Sequence, residues 1–340
     1  MTIASSGRWP IILFRWDVNQ NRRGPEVKDL KGRYPFFSVV VPTRRRPAEL
    51  ERCLAAVSCQ ECSFPFDVIV VDNSSGDDAT QNVARKWGAR YVSEPRTGLC
   101  RARNRGALIS SADIVAYLDD DSVPEPGWLA GFAVEFENPK VMAASGKTVP
   151  LRTETESEQL FNRMRGGAYD RSARLVVDKN EPRWFEICGF GGIGPGCNMA
   201  FRRKAFEVWP GFNERTDRGT PVHGGGEQYA FFTLVDRGYA VAYTPNAIVR
   251  HPFPPTMDVL KQRYLHDLTA STAYFTMLLV EEARHRRETL RCIWEAVRGT
   301  TREWPNIPLK RPRVVSRGRS ALALGLGPFR YLQSLLASLD

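Results

Sequence analysis

The sequence predicts an α/β fold in which a mostly parallel sheet is flanked by helices. Predominantly apolar segments at residues 37–41, 67–71 and 114–118 are typical of strands that are buried on both faces. The segments between them carry helix-start signals or an amphipathic period, with one further short strand (helices 47–57, 78–87 and 98–109; strand 90–92). Strands that alternate with helices in this way build βαβ units, which give a parallel sheet.

The character of the chain changes twice along its length. The first residues are aromatic and basic and are broken by Gly and Pro, whereas residues 257–298 are expected to be helical throughout. The predicted regions are an irregular N-terminal extension (1–35), a main α/β domain (36–255, with halves of about 36–150 and 151–255) and a helical, basic C-terminal region (256–340).

Composition limits the classes of protein to which this chain can belong. The 340 residues are 42% hydrophobic, which is enough to bury a core and excludes global disorder. The formal net charge of +10 favours an anionic partner, and a nucleotide ligand, an acidic membrane face or a nucleic acid would each fit. Seven irregularly spaced cysteines predict a reducing, cytoplasmic location, and the unpaired Cys59-x-x-Cys62 is expected to be structural. No apolar run approaches the ~20 residues of a spanning helix, so secretion and membrane spanning are disfavoured.

Three consecutive aspartates at 119–121 directly follow the apolar run at 114–118. In open parallel sheets, ligands bind beyond the carboxyl ends of the strands, and residues 42–44 and 72–74 are expected at the same edge. Crowded carboxylates repel one another and therefore favour a bound divalent cation, for which oxygen ligands suit Mg²⁺ or Mn²⁺. The alternative is a solvated acidic turn.

A series of short motifs over about residues 37–275 resembles glycosyltransferase family 2. Each motif is weak alone, and their order and spacing carry the resemblance. They are Ser-Val-Val-Val-Pro-Thr at 38–43, Val-Val-Asp-Asn-Ser-Ser at 70–75, Gly-Leu-Cys-Arg-Ala-Arg-Asn-Arg-Gly at 98–106, Tyr-Leu-Asp-Asp-Asp at 117–121 and Pro-x-x-x-Trp-Leu at 124–129. The resemblance implies an inverting, metal-dependent enzyme with a GT-A (Rossmann-like) fold, a mostly parallel mixed sheet flanked by helices.

By this resemblance, the first half of the chain binds a nucleotide-diphosphate sugar, with UDP favoured. The residues implied are Pro42, Thr43, Arg44, Asp72, Arg101, Asn104, Asp119 and Asp120. Chemically, Asp72 suits an imide N–H of the base and Arg101 suits phosphate oxygens. The alternative for Asp72 is a turn cap.

The resemblance also implies a metal cofactor, Mn²⁺ or Mg²⁺. Asp119 and Asp121 would form the DxD pair, with Asp121 as the nearest ligand and Asp120 near the ribose. His251 stands where the family has a histidine that completes the metal shell, and imidazole can join carboxylates around Mn²⁺. A structural histidine is the alternative.

The second half is similar to the acceptor side of the family in segments 194–203, 211–214 and 224–228. The acceptor-binding residues implied are Gly196, Asn198, Gly226 and Gln228. The family commonly has an aspartate base at the position of Gln228, and an amide cannot take up a proton. Glu227 is therefore expected as the general base, with Asp217 in reserve. The alternative role of Glu227 is to bind the acceptor or fix the loop.

The basic C-terminal segment leaves a further partner open. Basic residues from Lys310 to Arg319 precede apolar side chains such as Phe329 and Leu332, which could contact the inner face of an anionic membrane, pack on the domain or meet a second subunit. A nucleotidyltransferase would need a Gly-rich, basic first loop, which residues 41–44 lack. A basic nucleic-acid or membrane adaptor would leave the acid cluster unexplained, so no nucleic-acid partner is expected. A catalytically impaired nucleotide-sugar-binding protein remains the other alternative.

Overall fold

The computed structural model describes residues 35–74, 76, 78–169, 171–298 and 314–337. The extension predicted for 1–35 lies outside this part of the chain, apart from residue 35. So do Ser75 and the basic residues at 310, 311 and 313.

A mixed sheet runs through the described residues, and its strands confirm the predicted α/β fold of GT-A type. The strands are β1 (Phe37–Thr43), β2 (Phe66–Asp72), β3 (Arg90–Ser93), β4 (Ile114–Leu118), β5 (Val123–Pro124), β6 (Val141–Pro150), β7 (Leu175–Val177), β8 (Asn198–Arg202) and β9 (Ala240–His251).

The strand order is β3-β2-β1-β4-β8-β6-β9-β5, and β7 also pairs with β9. The first four strands are mutually parallel, β8 runs antiparallel between β4 and β6, and β6 is parallel to β9. Because β1, β2 and β4 end at the same edge, the segments that follow them lie side by side there. β9 brings His251 to this edge from the second half.

Helices cover both faces of the sheet, and the three helices predicted in the first half are confirmed. The helices are α1 (Pro47–Val57), α2 (Asp78–Lys86), α3 (Leu99–Ile109), α4 (Trp128–Glu135), α5 (Glu156–Tyr169), α6 (Trp184–Gly189), α7 (Ala205–Val208), α8 (Gly226–Asp236), α9 (Met257–Glu281), α10 (Arg286–Arg298) and α11 (Arg317–Leu336). Each face of the sheet has its own cluster of buried apolar side chains.

Residues 257–298 are helical as predicted except at Glu282, where α9 ends and a short 3₁₀ turn, Ala283–His285, leads into α10. Two contacts to α8 hold the break. The Tyr229 hydroxyl donates to Glu282 at 2.6 Å, and His285 Nε2 lies 2.9 Å from Asp236 Oδ1. Tertiary contacts therefore override the local helical period.

α3 packs closely against β1. A Cβ on Gly106 would overlap the side chain of Val40, so only glycine permits this approach. Ala102, one turn earlier, is also fully buried. The same face of α3 carries Arg103, which is thereby driven into the interior.

α11 packs along α9 through small side chains. Ala323 and Gly327 are buried, and a Cβ on Gly327 would overlap Thr272 Oγ1. At the end of the helix, the Tyr331 hydroxyl donates to Glu281 at 2.9 Å. Among the described residues, no helix combines the length and apolar character needed to cross a membrane.

Two glycines of α11 give a matched test of this packing. Gly327→Ala should destabilise the protein by about 1–3 kcal/mol, because the new methyl group has no space against α9. Gly325→Ala, where a Cβ meets nothing within 4 Å, should instead stabilise the helix by about 0.5–1 kcal/mol. Urea unfolding of both variants measures the difference. Equal effects of the two substitutions would contradict close packing at Gly327.

Candidate active site

The acid cluster and His251 meet at the carboxyl edge of the sheet. His251 Nε2 lies 3.8 Å from Asp119 Oδ2 and 3.4 Å from Asp121 Oδ1. The other ring nitrogen, Nδ1, is 2.8 Å from the carbonyl oxygen of Pro252. Because a carbonyl only accepts, Nδ1 carries a proton, and in the neutral ring Nε2 turns its lone pair toward the two carboxylates.

These residues fit a divalent cation. A lone pair and two carboxylate oxygens that converge repel one another unless a positive charge lies between them. Asp121 Oδ1 is buried and has no hydrogen-bond partner among the described residues, which leaves it available as a ligand. Two carboxylates and one imidazole suit Mn²⁺ and Mg²⁺, and the Nδ1 contact to Pro252 is the kind of support that orients a metal-binding histidine.

Asp119 and Asp120 differ in pKa because their surroundings differ. Burial opposes ionisation of Asp119, but its interaction with the His251 ring and the charges of Arg103 and Arg218 outweigh burial and hold the pKa of Asp119 below its usual value. Burial raises the pKa of Asp120 to about 6, although Thr43 Oγ1 donates to its Oδ2 at 2.8 Å. Thr43, at the end of β1, therefore contacts the cluster through its hydrogen bond to Asp120.

An arginine after β1, Arg46, also contacts the cluster. Arg46 Nη1 lies 3.3 Å from both Asp120 Oδ1 and Asp121 Oδ2. Arg45, with φ at 55°, lies between Arg44 and Arg46 in a left-handed turn, and Arg44 itself is exposed. Pro42 is buried in β1.

A buried guanidinium connects the two halves of the site. Arg103, 2% exposed, lies with Nη1 2.8 Å from Asp217 Oδ2, and its Nη2 donates to the Gly196 carbonyl at 3.0 Å. Nη2 is also 3.7 Å from Asp119 Oδ1. Although burial opposes it, the charges of Asp217 and Asp119 keep the pKa of Arg103 above its usual value. The sequence prediction missed Arg103, and its only signal was the Ala-Arg-Asn motif that contains it.

Glu227 lies beside this guanidinium, in the first turn of α8. A Cβ on Gly196 would approach its Oε2 to 3.2 Å, so the missing side chain of Gly196 admits the carboxylate. Burial, reinforced by the like charge of Asp217, raises the pKa of Glu227 to about 7. Gly226 permits a similar approach, because a Cβ there would lie 2.9 Å from Asp217 Oδ2. Both predicted acceptor-side glycines thus belong to the packing around the carboxylates.

Gln228 follows Glu227 and is partly buried near Gly191. Its Oε1 is buried without a hydrogen-bond partner among the described residues. A buried acceptor atom without a donor costs free energy unless a ligand supplies one. Gln228 therefore offers an amide oxygen to a hydroxyl beside Glu227.

Two residues predicted on the donor side contact the loop that carries Phe212 and Glu214. The Asn104 amide holds Phe212 through two hydrogen bonds, Nδ2 to the carbonyl at 2.9 Å and Oδ1 from the backbone N–H at 2.8 Å. Arg101 Nε lies 3.4 Å from Glu214 Oε2 in the same loop. These contacts give Asn104 a positioning role in place of the donor contact predicted for it.

Two further predicted contacts do not fit their surroundings. Asn198 is fully buried, where its amide accepts from Trp128 Nε1 at 2.8 Å and donates to two carbonyls at 2.9 Å each, so it cannot touch an acceptor. Asp72 is also fully buried, and its carboxylate accepts from Ser74 at 2.7 Å and from Tyr91 at 2.8 Å. These hydrogen bonds match the turn-cap alternative for Asp72, and a base could reach it only if they opened.

Two residues that the sequence did not single out lie at the cluster. Arg218 is exposed in the loop after Asp217, and the charges of Asp119 and Asp217 outweigh desolvation to raise its pKa. Cys197 Sγ forms a group with ligand atoms of Asp119 and His251 in which all three atoms lie within 4.8 Å of one another. Arg218 belongs to no motif, and Cys197 lies in the segment 194–203 without a predicted role, so only the fold shows that both lie at the cluster.

Comparison with known proteins gives consistent matches. The family model "Glycosyl transferase family 2" matches residues 38–209. Glycosyltransferase AglE of Haloferax volcanii is 26% identical over 243 residues, which cover 68% of this chain and 71% of that protein. An N-acetylglucosaminyltransferase of Mesorhizobium japonicum is 25% identical over 235 residues, 66% of this chain and 53% of that protein. The chain thus spans only about half the length of some curated relatives, and 11% of the hyaluronan synthase of Pasteurella multocida.

Solved structures share the fold. The mannosyltransferase PcManGT from Pyrobaculum calidifontis, in complex with GDP-Man and Mn²⁺, superposes with a TM-score of 0.52 at 18% identity, covering 95% of this chain and 78% of that one. S. aureus TarS gives a TM-score of 0.51 at 14% identity, covering 88% of this chain and 53% of that one.

The raised pKa of Glu227 predicts a pH-dependent penalty on folding. Above pH 4.5, the pKa of this group in the unfolded chain, keeping Glu227 ionised in the folded protein costs free energy. This cost grows until the pH reaches the folded pKa of about 7. Glu227→Gln removes it, so the variant should gain stability over wild type between these pH values, on the order of 1–3 kcal/mol at pH 8. Urea unfolding at pH 4.5 and 8 measures the gain. Exposed Glu137→Gln should show no such change, and a pH-independent effect of Glu227→Gln would contradict the shift.

Proposed function

Because the chain belongs to glycosyl transferase family 2, we propose that it transfers a sugar from a nucleotide-diphosphate donor to an acceptor hydroxyl, with a divalent metal and with inversion at the anomeric carbon. The observation that carries the proposal is the position of Glu227. Its carboxylate has a pKa of about 7 and lies beside the buried Arg103, which connects it to the metal-binding edge. A base near neutral pKa is suited to take up a hydroxyl proton.

The metal would be held by Asp119, Asp121 and His251, with Mn²⁺ or Mg²⁺ as the ion. Bound there, it supplies positive charge for the diphosphate that departs. Arg218 is exposed and interacts electrostatically with Asp119 and Asp121, and we assign it a phosphate contact, alongside Arg101. Asp120, Thr43 and the exposed Arg44 would border the ribose and base. UDP is the favoured nucleotide, and GDP is the main alternative because the mannosyltransferase of the same fold was solved with GDP-Man.

Glu227 is a better candidate for the base than Asp217. Asp217 is already engaged at 2.8 Å in an ion pair with Arg103. Glu227 has no such ion pair among the described residues, and burial raises its pKa to about 7. The acceptor hydroxyl would donate to Glu227 and lie against the unpartnered Gln228 Oε1. Attack on the face opposite the nucleotide then inverts the sugar in one displacement.

The acceptor is proposed to be a hydroxyl of a glycan, a glycolipid or another cell-surface or secondary-metabolite precursor. The matched relatives are named for different activities, among them an N-acetylglucosaminyltransferase and a hyaluronan synthase, so the acceptor class is kept broad. Gly196 and Gly226 let the carboxylates of Glu227 and Asp217 pack closely here, and the acceptor contact of the two glycines is part of this proposal.

The base assignment is tested by Glu227→Gln. We expect kcat to fall by about 10²–10⁴-fold while nucleotide-sugar affinity changes little, because the amide keeps the shape and loses the proton acceptor. Wild-type kcat/KM should decline as the pH drops below about 7. Moving the carboxylate back to the usual family position, by Gln228→Glu in the Glu227→Gln background, should recover part of the rate. Full activity of Glu227→Gln would refute the assignment and favour Asp217.

We further propose that α11 rests on an anionic membrane surface. Its apolar side chains form a stripe opposite the buried face of Ala323, Gly327 and Tyr331, and the members are Leu322 (66% exposed), Leu326 (40%), Phe329 (65%), Leu332 (54%) and Leu336 (66%). The helix also contains three arginines and no acid. An apolar stripe flanked by cations fits the boundary between headgroups and acyl chains.

Vesicle sedimentation tests this surface. The protein should bind anionic vesicles more tightly than neutral ones, and the Phe329→Ser/Leu332→Ser double variant should lose most of the binding. Leu108→Ser, which removes a leucine that is 74% exposed on α3, should bind like wild type. If the double variant binds vesicles normally, or if its only change is loss of self-association, the stripe does not contact membrane and a second copy is its partner.

A further inference from the structure

Cys197 brings a sulfur atom to the metal-binding edge. It precedes β8 directly and is buried, 9% exposed, with its Sγ 3.9 Å from Thr148 Oγ1. Its Sγ, a carboxylate oxygen of Asp119 and a ring nitrogen of His251 all lie within 4.8 Å of one another. Two of these three residues also belong to the oxygen-rich set completed by Asp121.

The other thiols do not share this position. Cys53 donates to the Asp119 carbonyl at 3.7 Å, and its sulfur is not part of a His/Cys/carboxylate group. Cys59 and Cys62 donate to the carbonyls of Ala55 and Phe64, so the Cys-x-x-Cys pair forms no metal group among the described residues. Within that part of the chain, Cys197 supplies the one thiol that meets an imidazole and a carboxylate.

Sulfur changes which ion such a group prefers. Thiolate and imidazole bind Zn²⁺ and Cd²⁺, with bonds of roughly 2.0–2.3 Å for zinc, whereas carboxylate oxygens suit Mg²⁺ and Mn²⁺. Around one tetrahedral ion, such bonds place ligand atoms roughly 3.3–3.8 Å apart. A spread within 4.8 Å therefore closes on an ion after small side-chain movements.

We propose that the His251–Asp119 pair serves two ligand sets, one completed by Asp121 for Mn²⁺ or Mg²⁺ and one completed by Cys197 for a thiophilic ion such as Zn²⁺ or Cd²⁺. On binding, the Sγ–H bond breaks, the proton leaves to solvent and a sulfur–metal bond forms, without any change of oxidation state. The Nε2 atom has a single lone pair in the plane of the ring, so it binds one ion at a time. Occupation of the sulfur set therefore excludes the ion of the oxygen set.

The consequence is that thiophilic ions inhibit the enzyme by occupying its metal-binding histidine. This competition rests on the proposed function, because it requires the oxygen set to hold the catalytic ion. Binding of a thiophilic ion by Cys197 does not depend on it, because it involves no nucleotide and no turnover.

The test uses Cd²⁺ alone, added to the full chain with Cys59→Ser as the common background to remove the exposed thiol. We expect a near-ultraviolet thiolate-to-cadmium absorption that saturates at one ion per chain. A further Cys197→Ser substitution should abolish it, and Cys188→Ser, which removes another buried thiol, should leave it unchanged. His251→Gln should weaken Cd²⁺ binding by at least about tenfold. An absorption that survives Cys197→Ser would overturn the proposal.

Competition is measured separately. With Mn²⁺-supported transfer as the readout, the Zn²⁺ concentration that halves the rate should rise at least about tenfold in Cys197→Ser relative to Cys188→Ser, each normalised to its own uninhibited rate. If the cadmium absorption depends on Cys197 but this inhibition does not, the sulfur set exists and the oxygen set is not the catalytic one. If neither Cys197→Ser nor Cys188→Ser abolishes the cadmium absorption, the sulfur set is rejected and the proposed function is unaffected.

Discussion

The buried guanidinium of Arg103 is the interaction on which the site depends. It belongs to α3 in the first half of the chain, and it contacts Asp217 and the Gly196 carbonyl from the second half. A buried charge is tolerated only when it is paired and hydrogen-bonded, so each partner must stay in place for the others to be stable. The halves are thus joined through a charge that neither could bury alone.

This arrangement divides the acids by role. Asp217 is the direct partner of Arg103, and Asp119 lies within the field of the same guanidinium at 3.7 Å. Glu227 has no ion pair of its own among the described residues, and burial together with the repulsion of Asp217 raises its pKa to about 7. Carboxylates at the metal-binding edge and a proton acceptor beside them are what the proposed inverting transfer would use.

Local pattern was enough to predict the parallel strands of the first half, the first three helices and the place of the acid cluster. Strands buried on both faces leave continuous apolar runs, and a parallel sheet collects the segments after them at one edge. Three arginines at 101, 103 and 105 are chemically alike, however, and packing of Gly106 and Ala102 on β1 decides that Arg103 is the buried one. No period in the sequence records that choice.

Side-chain direction was the other limit of the sequence prediction. Asn198 and Asp72 stand in motifs that suggest ligand contact, yet both are turned into hydrogen-bond networks with residues far along the chain. Arg218 and Cys197 reach the cluster from loops whose course depends on the whole fold. The break after α9 has the same origin, since it is held by contacts from α8.

The central claim is that the acid cluster binds a nucleotide sugar through a divalent metal. Calorimetric titration with UDP-, GDP- and dTDP-sugars, with and without Mn²⁺, tests it directly on wild type, Asp121→Asn and the exposed control Asp258→Asn. The account predicts Mn²⁺-dependent binding of one nucleotide class, UDP by preference, that weakens at least about tenfold in Asp121→Asn and is unchanged in the control. Binding that is equally tight without metal or in Asp121→Asn, or no binding of any nucleotide sugar, would contradict it.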